Sequence, residues 1–456
     1  MQNFTKYYFI GIGGIGMSAI ARYFDSQGKE VAGYDRTHNS VTQELSDENI
    51  NVVFDDAISA IPEQFLDKIN TLIVRTPAVA DSHPQLQYFR SNGFTIKKRS
   101  EILGEITAQK KAICVAGTHG KTTTSTMITH LLQQSKIKCS AFLGGISNNY
   151  GTNFLISEKS DFVVIEADEY DRSFHHLSPF IAIITSADPD HLDIYQTAKA
   201  YKQAFEIFTS LIKPHGALLM KKDVKIAPQL KKNVKFYSYS MNEKADFYAE
   251  NIRFEKEKLL FDFITPTDKI TDLNLTVPIK INIENAVAAM AVGWLLGLTK
   301  DELRNGISSF SGIYRRFNIV FKNEKTVFLD DYAHHPEEIR QSISSIKQIF
   351  PKKTVTGIFQ PHLYTRTRDF ADEFAQALSQ LDELILLDIY PAREEPIEGI
   401  SSKIIFDKVN IENKILCTKK DLLSLIQKRD FEVLITLGAG DIEFLVPQIK
   451  EILDNK

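Results

Sequence analysis

"AICVAGTHGKTTTSTMITHLLQQ", residues 112–134, decides how the chain is read. An apolar run feeds a glycine-rich loop, and a helix-like pattern headed by threonines leaves it. Backbone N–H groups in such a turn, and the helix N-terminus behind it, can cradle phosphates. Lys121 would neutralise the β- and γ-phosphates, and Thr122 would offer its hydroxyl to Mg2+. The strict GxxxxGK[ST] spacing would place its first glycine at Val115, but the chain has it at Gly117. The loop Gly117, Thr118, His119, Gly120, Lys121, Thr122, Thr123 is therefore read as a variant triphosphate loop.

A metal at this loop needs acids opposite it. Glu166 and Asp168 end the apolar run "FVVIEADE" (162–169), whose carboxyl end should lie beside the loop. His191 follows the next apolar run, in "DPDHLD" (188–193). Oxygen ligands suit Mg2+ and histidine is an unusual one, so a plain helix-start role for His191 stays open.

A second glycine turn precedes the first by about a hundred residues. "YYFIGIGGIGMSAIARYF" (7–24) passes from strand to helix through Gly11, Gly13 and Gly16, and Asp35 ends the following strand. That is the spacing of a dinucleotide fingerprint. By itself it says only that a diphosphate can approach bare backbone. A nicotinamide dehydrogenase would also need a substrate domain without a triphosphate loop, which this chain does not offer.

Short β-rich runs alternate with helical patterns almost throughout, so the fold class is α/β with mostly parallel sheets. The 456 residues suggest about three domains. The expected spans are 1–107, Rossmann-like; 108–312, a P-loop-type ATPase core; and 313–456, Rossmann-like again. A net charge of -4 gives no global attraction to nucleic acid or anionic membrane. Three scattered cysteines, Cys114, Cys139 and Cys417, argue against a disulfide framework or structural zinc. The N-terminus shows no basic-then-apolar signal segment and no run is long enough to span a bilayer, so a cytoplasmic protein is expected.

"GTHGKTTT", "EADE", "DPDHLD", "NIENAVAA", "YRRF", "DDYAHHPEE", "QPHLYTRTRDF" and "LGAGDI" occur in this order along the chain. As a set they resemble the Mur ligases, ATP-dependent amide-forming enzymes that build the peptide of bacterial cell walls. The resemblance covers essentially the whole chain and implies three domains, ATP and Mg2+. It also implies an acyl-phosphate route from UDP-N-acetylmuramate and L-alanine. Glu166, His191 and Thr122 would hold Mg2+. Asn285 would meet adenine, Arg316 the phosphates and Asp331 the ribose. Tyr332 and His334 would line the space near the amine, with His335 an equal candidate, and His362 and Arg366 would sit on a closing loop with Arg368.

The first turn would then bind the UDP part of the substrate, through Gly13, Gly14, Ile15 and Gly16, helped by Ser18, Asp35, Thr76 and Arg99. Glu206 stands where several relatives carry a carbamylated lysine at a second Mg2+; a solvated helix acid is the other reading. Leu363 and Arg393 depart from the family pattern, where arginine and glycine are common. Tyr170 in "EADEYD" is partly a mark of a relative that attaches a recycled murein tripeptide to the same UDP-sugar, while "SFHHLSP" and "YPAREEPIEGISS" favour alanine. A monomer or homodimer is expected, with no nucleic acid and no membrane insertion.

Overall fold

All five strand-like runs of the first block form one parallel sheet. The computed structural model describes residues 4–255, 258–392 and 394–456; Arg393, one of the two departures, lies outside them. The strands are β1 (Lys6–Ile10), β2 (Glu30–Tyr34), β3 (Asn51–Val53), β4 (Thr71–Arg75) and β5 (Thr95–Lys98), in the order β3-β2-β1-β4-β5. After β3 the chain crosses back to the far side of β1, so the switch point lies between β1 and β4. Ligands of open α/β sheets bind at such a point. The first glycine turn leaves β1 there, and Thr76 leaves β4 there.

The second sheet has ten strands: β6 (Lys111–Ala116), β7 (Ser140–Ser147), β8 (Thr152–Leu155), β9 (Phe162–Glu166), β10 (Pro179–Ile184), β11 (Ala217–Lys221), β12 (Lys235–Ser240), β13 (Phe247–Glu255), β14 (Lys258–Ile264) and β15 (Lys269–Leu275). Their order is β15-β14-β13-β12-β11-β10-β6-β9-β7-β8. β12 to β7 run parallel, flanked by an antiparallel meander at one edge and a β7–β8 hairpin at the other. The triphosphate-type loop leaves central β6, between β9 and β10. Helix Lys280–Leu295 is apolar on nearly every side and correspondingly buried, as expected of a core helix.

The third sheet comprises β16 (Asn318–Lys322), β17 (Val327–Asp331), β18 (Val355–Phe359), β19 (Glu383–Leu386), β20 (Asn413–Leu416) and β21 (Val433–Leu437), in the order β16-β17-β21-β18-β19-β20. All neighbours are parallel except β16 and β17. The α/β class with one mostly parallel sheet per block is therefore as expected.

Contacts divide the chain into two units, Met1–Thr276 with Ile281–Ser311, and Val277–Lys280 with Gly312–Lys456. The first unit holds two sheets because helix Ile15–Ser26 has two apolar faces. Phe24 stacks on Tyr7 of β1, while Tyr23 meets Phe142 and Phe154 of the second sheet. Arg22, buried between them, bonds Glu48, Glu44 and the Asn153 side chain. Burying a charge without partners is costly, so these three acceptors hold the helix in place. The cysteines are free. Among the described residues no helix is long and apolar enough to cross a membrane.

Candidate active site

Gly117 opens the central loop with φ +146°, a region L side chains rarely enter. A Cβ there would also lie 2.1 Å from the Thr185 hydroxyl and 2.8 Å from Ser186 N. These two residues, just past β10, fasten the loop: His119 N–H donates to Ser186 Oγ, and the Thr185 hydroxyl donates to His119 O. Gly120, at φ +80°, caps helix Lys121–Gln134. That helix end carries the positive pole of its dipole. Thr122 and Thr123 form its first turn, and the Thr118 hydroxyl pairs with the Asp188 carbonyl and Tyr201 Oη.

Lys121 folds back over the loop. Its ammonium donates to Gly117 O (2.5 Å) and meets both carboxylate oxygens of Glu169, at 2.9 and 2.8 Å. Glu169 is 1 % exposed. Burial pushes its carboxyl up, and Lys121 opposes that. Sequence reasoning used the first and third residues of "EADE" and missed the fourth. Nothing in the pattern separates one acid from its neighbour; only the exit geometry of β9 turns Glu169 inward.

Glu166, at the end of β9, lies against Gly144 of β7. A Cβ on Gly144 would fall 2.1 Å from Oε2 and 2.7 Å from Oε1. Glu166 Oε2 is buried and bonds no protein atom. An unpaired buried carboxylate oxygen is what a hard cation would satisfy, so this residue fits Mg2+. His191, at φ +51°, packs edge-on against Tyr170 with ring centres 5.2 Å apart. Its carbonyl accepts the Ile194 and Tyr195 N–H groups, so it also begins a helical turn. Among the described residues no three His, Cys, Asp or Glu side chains gather as a metal set.

Asn285 sits behind the loop rather than in the open. Its Oδ1 accepts from Thr124, its Nδ2 donates to Asn282, and a Cβ on Gly120 would lie 2.8 Å from it. Glu206 binds the Ala227 N–H with its carboxylate, fastening a neighbouring loop. That contact favours the structural reading over a second metal.

At the first turn, two of the expected substrate contacts also bond the protein. Asp35 accepts the Gly13 N–H at 2.7 Å and the Thr37 N–H at 3.0 Å. Ser18 is fully buried, donating to Ile15 O and accepting from Asn153. Both hold the turn in shape. Gly14 precedes the helix, and the Ile15 and Gly16 N–H groups open it, where no intrahelical acceptor exists. Arg99 lies over Gly16, its Nη1 2.8 Å from where a Cβ would stand, and pairs with Asp168 at 3.0 Å. The Thr76 methyl packs against Gly11.

In the second unit, the loops after β17, β18, β19 and β21 converge at the carboxyl edge of their sheet. Arg315 is buried against Asp330, Glu443 and Gly438 O, whereas Arg316 is exposed and lies over the Tyr332 ring. The two histidines also separate. His334 faces Tyr332 and His362, with Nδ1 3.0 Å from Tyr332 O. His335 packs on Phe370. A carbonyl can only accept, so Nδ1 of neutral His334 carries the proton and Nε2 keeps its lone pair. Burial holds that imidazole below its ordinary pKa, with Glu338 opposing and Arg366 assisting.

Asp331, expected at the ATP ribose, is buried. It accepts from Ser342 and the Ala333 N–H, and burial pushes its carboxyl up to about 6. His362 and Leu363 are zipped to Tyr390 by backbone bonds. Leu363 takes φ +71° and is buried, so the position where relatives carry arginine holds an apolar anchor here. Helix Tyr364–Asp369, bearing Arg366, is tied through Thr365 to Glu394.

Three family models match in turn: Mur ligase family, catalytic domain (residues 6–111), Mur ligase middle domain (115–293), and Mur ligase, glutamate ligase domain (315–440). A UDP-N-acetylmuramate–L-alanine ligase of Parabacteroides distasonis is 57% identical over 98% of this chain and 97% of its own length. Its namesake in Phocaeicola vulgatus is 55% identical over 98% of both. Among solved structures, the UDP-N-acetylmuramate–alanine ligase of Thermotoga maritima superposes with a TM-score of 0.84 at 27% identity, covering 99% of each chain. A murein peptide ligase of Psychrobacter arcticus shares the fold at 20% identity, with a TM-score of 0.70 over 99% of each chain. The chain belongs to the Mur ligase family.

Proposed function

We propose that the chain joins L-alanine to the lactyl carboxylate of UDP-N-acetylmuramate with hydrolysis of ATP to ADP and phosphate, as a cytoplasmic step of peptidoglycan precursor synthesis. The observation that carries this reading is the 57% identity to an alanine ligase across nearly the whole chain, together with a built phosphate loop around Lys121.

The residues support a division of labour. Residues 1–107 take the UDP moiety, with the Ile15 and Gly16 N–H groups at the helix start and the Arg99 guanidinium meeting the diphosphate, and Thr76 beside the turn. Residues 108–312 take ATP on the Gly117–Thr123 loop, where Lys121 and the helix end neutralise phosphate charge. Asn285 supports the loop from behind, and its remaining carboxamide donor and acceptor are the groups for adenine. Residues 313–456 supply Arg316 for phosphate charge, and Tyr332, His362 and Arg366 for the amino-acid side. Asp331 shapes the loop that carries them.

Mg2+ would be held by Glu166, His191 and Thr122, and would supply charge neutralisation at the phosphates. The γ-phosphoryl group passes to a lactyl carboxylate oxygen and ADP leaves. The alanine nitrogen attacks the acyl carbon, phosphate leaves, and the amine gives up a proton. In this reading His334 Nε2, neutral with its lone pair free, accepts that proton.

An amino-acid panel in a phosphate-release assay with UDP-N-acetylmuramate tests the reading. L-Alanine should stimulate release most strongly. Stimulation by the murein tripeptide but not by alanine would transfer the assignment to the tripeptide-adding relative.

A further inference from the structure

A lysine in a phosphate loop must meet its ligand with a defined direction, yet its four-carbon stem is flexible and its rotamers are many. Here Lys121 is not left to swing. Its ammonium has three N–H donors. One is spent on Gly117 O at 2.5 Å and one on the Glu169 carboxylate at 2.8–2.9 Å. The third has only a long 3.4 Å approach to Thr118 O, and this is the donor that can turn to a phosphate without breaking the other two.

Glu169 is itself held on several sides. Its backbone carbonyl accepts from Tyr195 Oη, and its Oε1 lies 3.5 Å from Tyr201 Oη. The Tyr201 hydroxyl also pairs with Thr118 in the loop at 2.9 Å. The side chain is 2% exposed. A carboxylate this buried is tolerated only with a close cationic partner, and Lys121 is that partner.

We propose that Glu169 is a positioning residue for the ligase reaction: it fixes the Lys121 ammonium over the loop so that a nucleoside triphosphate meets a cation already aimed at it. This rests on the ATP-dependent ligase reading above. The contribution is to orientation, so it should appear in turnover more than in binding. Misplacing a charge-stabilising group by about an ångström can cost roughly a hundredfold in rate.

The test uses the full chain and compares Glu169→Gln and Glu169→Asp with the parent. Alanine-dependent phosphate release gives kcat and the KM of each substrate, and thermal melting reports the fold. The parent's own alanine-dependent release checks the function reading first; its failure would fall on that reading and not on Glu169. The expected result is a kcat lowered about a hundredfold in Glu169→Gln. The KM values for alanine and UDP-N-acetylmuramate should stay within twofold. Glu169→Asp, which keeps the charge but draws it back by one methylene, should fall between the two. A kcat within twofold of the parent in both variants would overturn the proposal. So would a loss spread equally over all substrates that tracks a lowered melting temperature. If Glu169→Gln does not fold, Glu169→Asp decides alone: parent-like turnover in it refutes positioning.

Discussion

Arg99 and Asp168 are joined by a 3.0 Å ion pair, and the same guanidinium lies directly over Gly16. The head of the first glycine turn is thereby tied to the acid-bearing loop that leaves the central sheet. Arg99→Ala removes the cation that lies over Gly16. The KM for UDP-N-acetylmuramate should rise about ten- to hundredfold, the loss of one charge-assisted contact, with the KM for ATP little changed. Steady-state kinetics with each substrate varied in turn will show it, and an effect confined to ATP would remove Arg99 from the UDP side.

Gly144 makes room for Glu166. Its φ is not in the left-handed region, so alanine fits the backbone, but the new methyl would fall 2.1 Å from the carboxylate. Gly144→Ala should therefore displace Glu166, lowering turnover about a hundredfold while circular dichroism stays parent-like. Wild-type turnover would mean that the carboxylate's position does not matter to the reaction.

Lys121→Ala should do more than stop the reaction. It strips the buried Glu169 of its cation, at a cost of about 3–5 kcal/mol in stability. Adding Glu169→Gln to it should recover most of that stability and none of the activity. Urea unfolding of the two variants separates the effects, and equal stability of both would mean the pair is not energetically coupled.

Asp331 sets a pH dependence in the second unit. Burial raises its carboxyl from 3.8 to about 6, so the folded state holds its proton more tightly than the unfolded chain. Stability from this group is fully present below about pH 4 and is lost as pH rises through 6, about 3 kcal/mol in all. Asp331→Asn removes the effect. The melting temperature of the variant minus that of the parent should grow between pH 4 and pH 6.5 and then level off. A difference that does not change with pH would place the carboxyl in the ordinary range.

The legible parts of the chain are those where an apolar run ends in a turn-forming or acidic residue. Strands β1, β2 and β3 announce themselves because their apolar runs are closed by glycine or by acids, Gly11, Asp35 and Asp55. The meander from β13 to β15 went unread, since its strands alternate buried apolar residues with charged ones such as Glu250, Arg253 and Asp272, and mimic surface loops. The phosphate loop was readable because Gly117 and Gly120 are demanded by geometry. What sequence could not show is which polar groups also bond the protein: Ser18, Asp35 and Asp331 each satisfy the backbone or a neighbour. It could not rank Glu169 above Asp168, nor His334 above His335, because adjacent residues differ only in the side to which the chain turns them.

The exit of β9 puts three acids to three uses within four residues: Glu166 toward Gly144, Asp168 toward Arg99, Glu169 toward Lys121. None of the three can be exchanged for its neighbour by sliding the chain, because a one-residue shift would hand each carboxylate to the wrong partner. This segment must conserve its length as well as its acids. A replacement of one acid should disturb one partner, whereas a single-residue insertion or deletion between Ile165 and Tyr170 should disable both glycine turns at once.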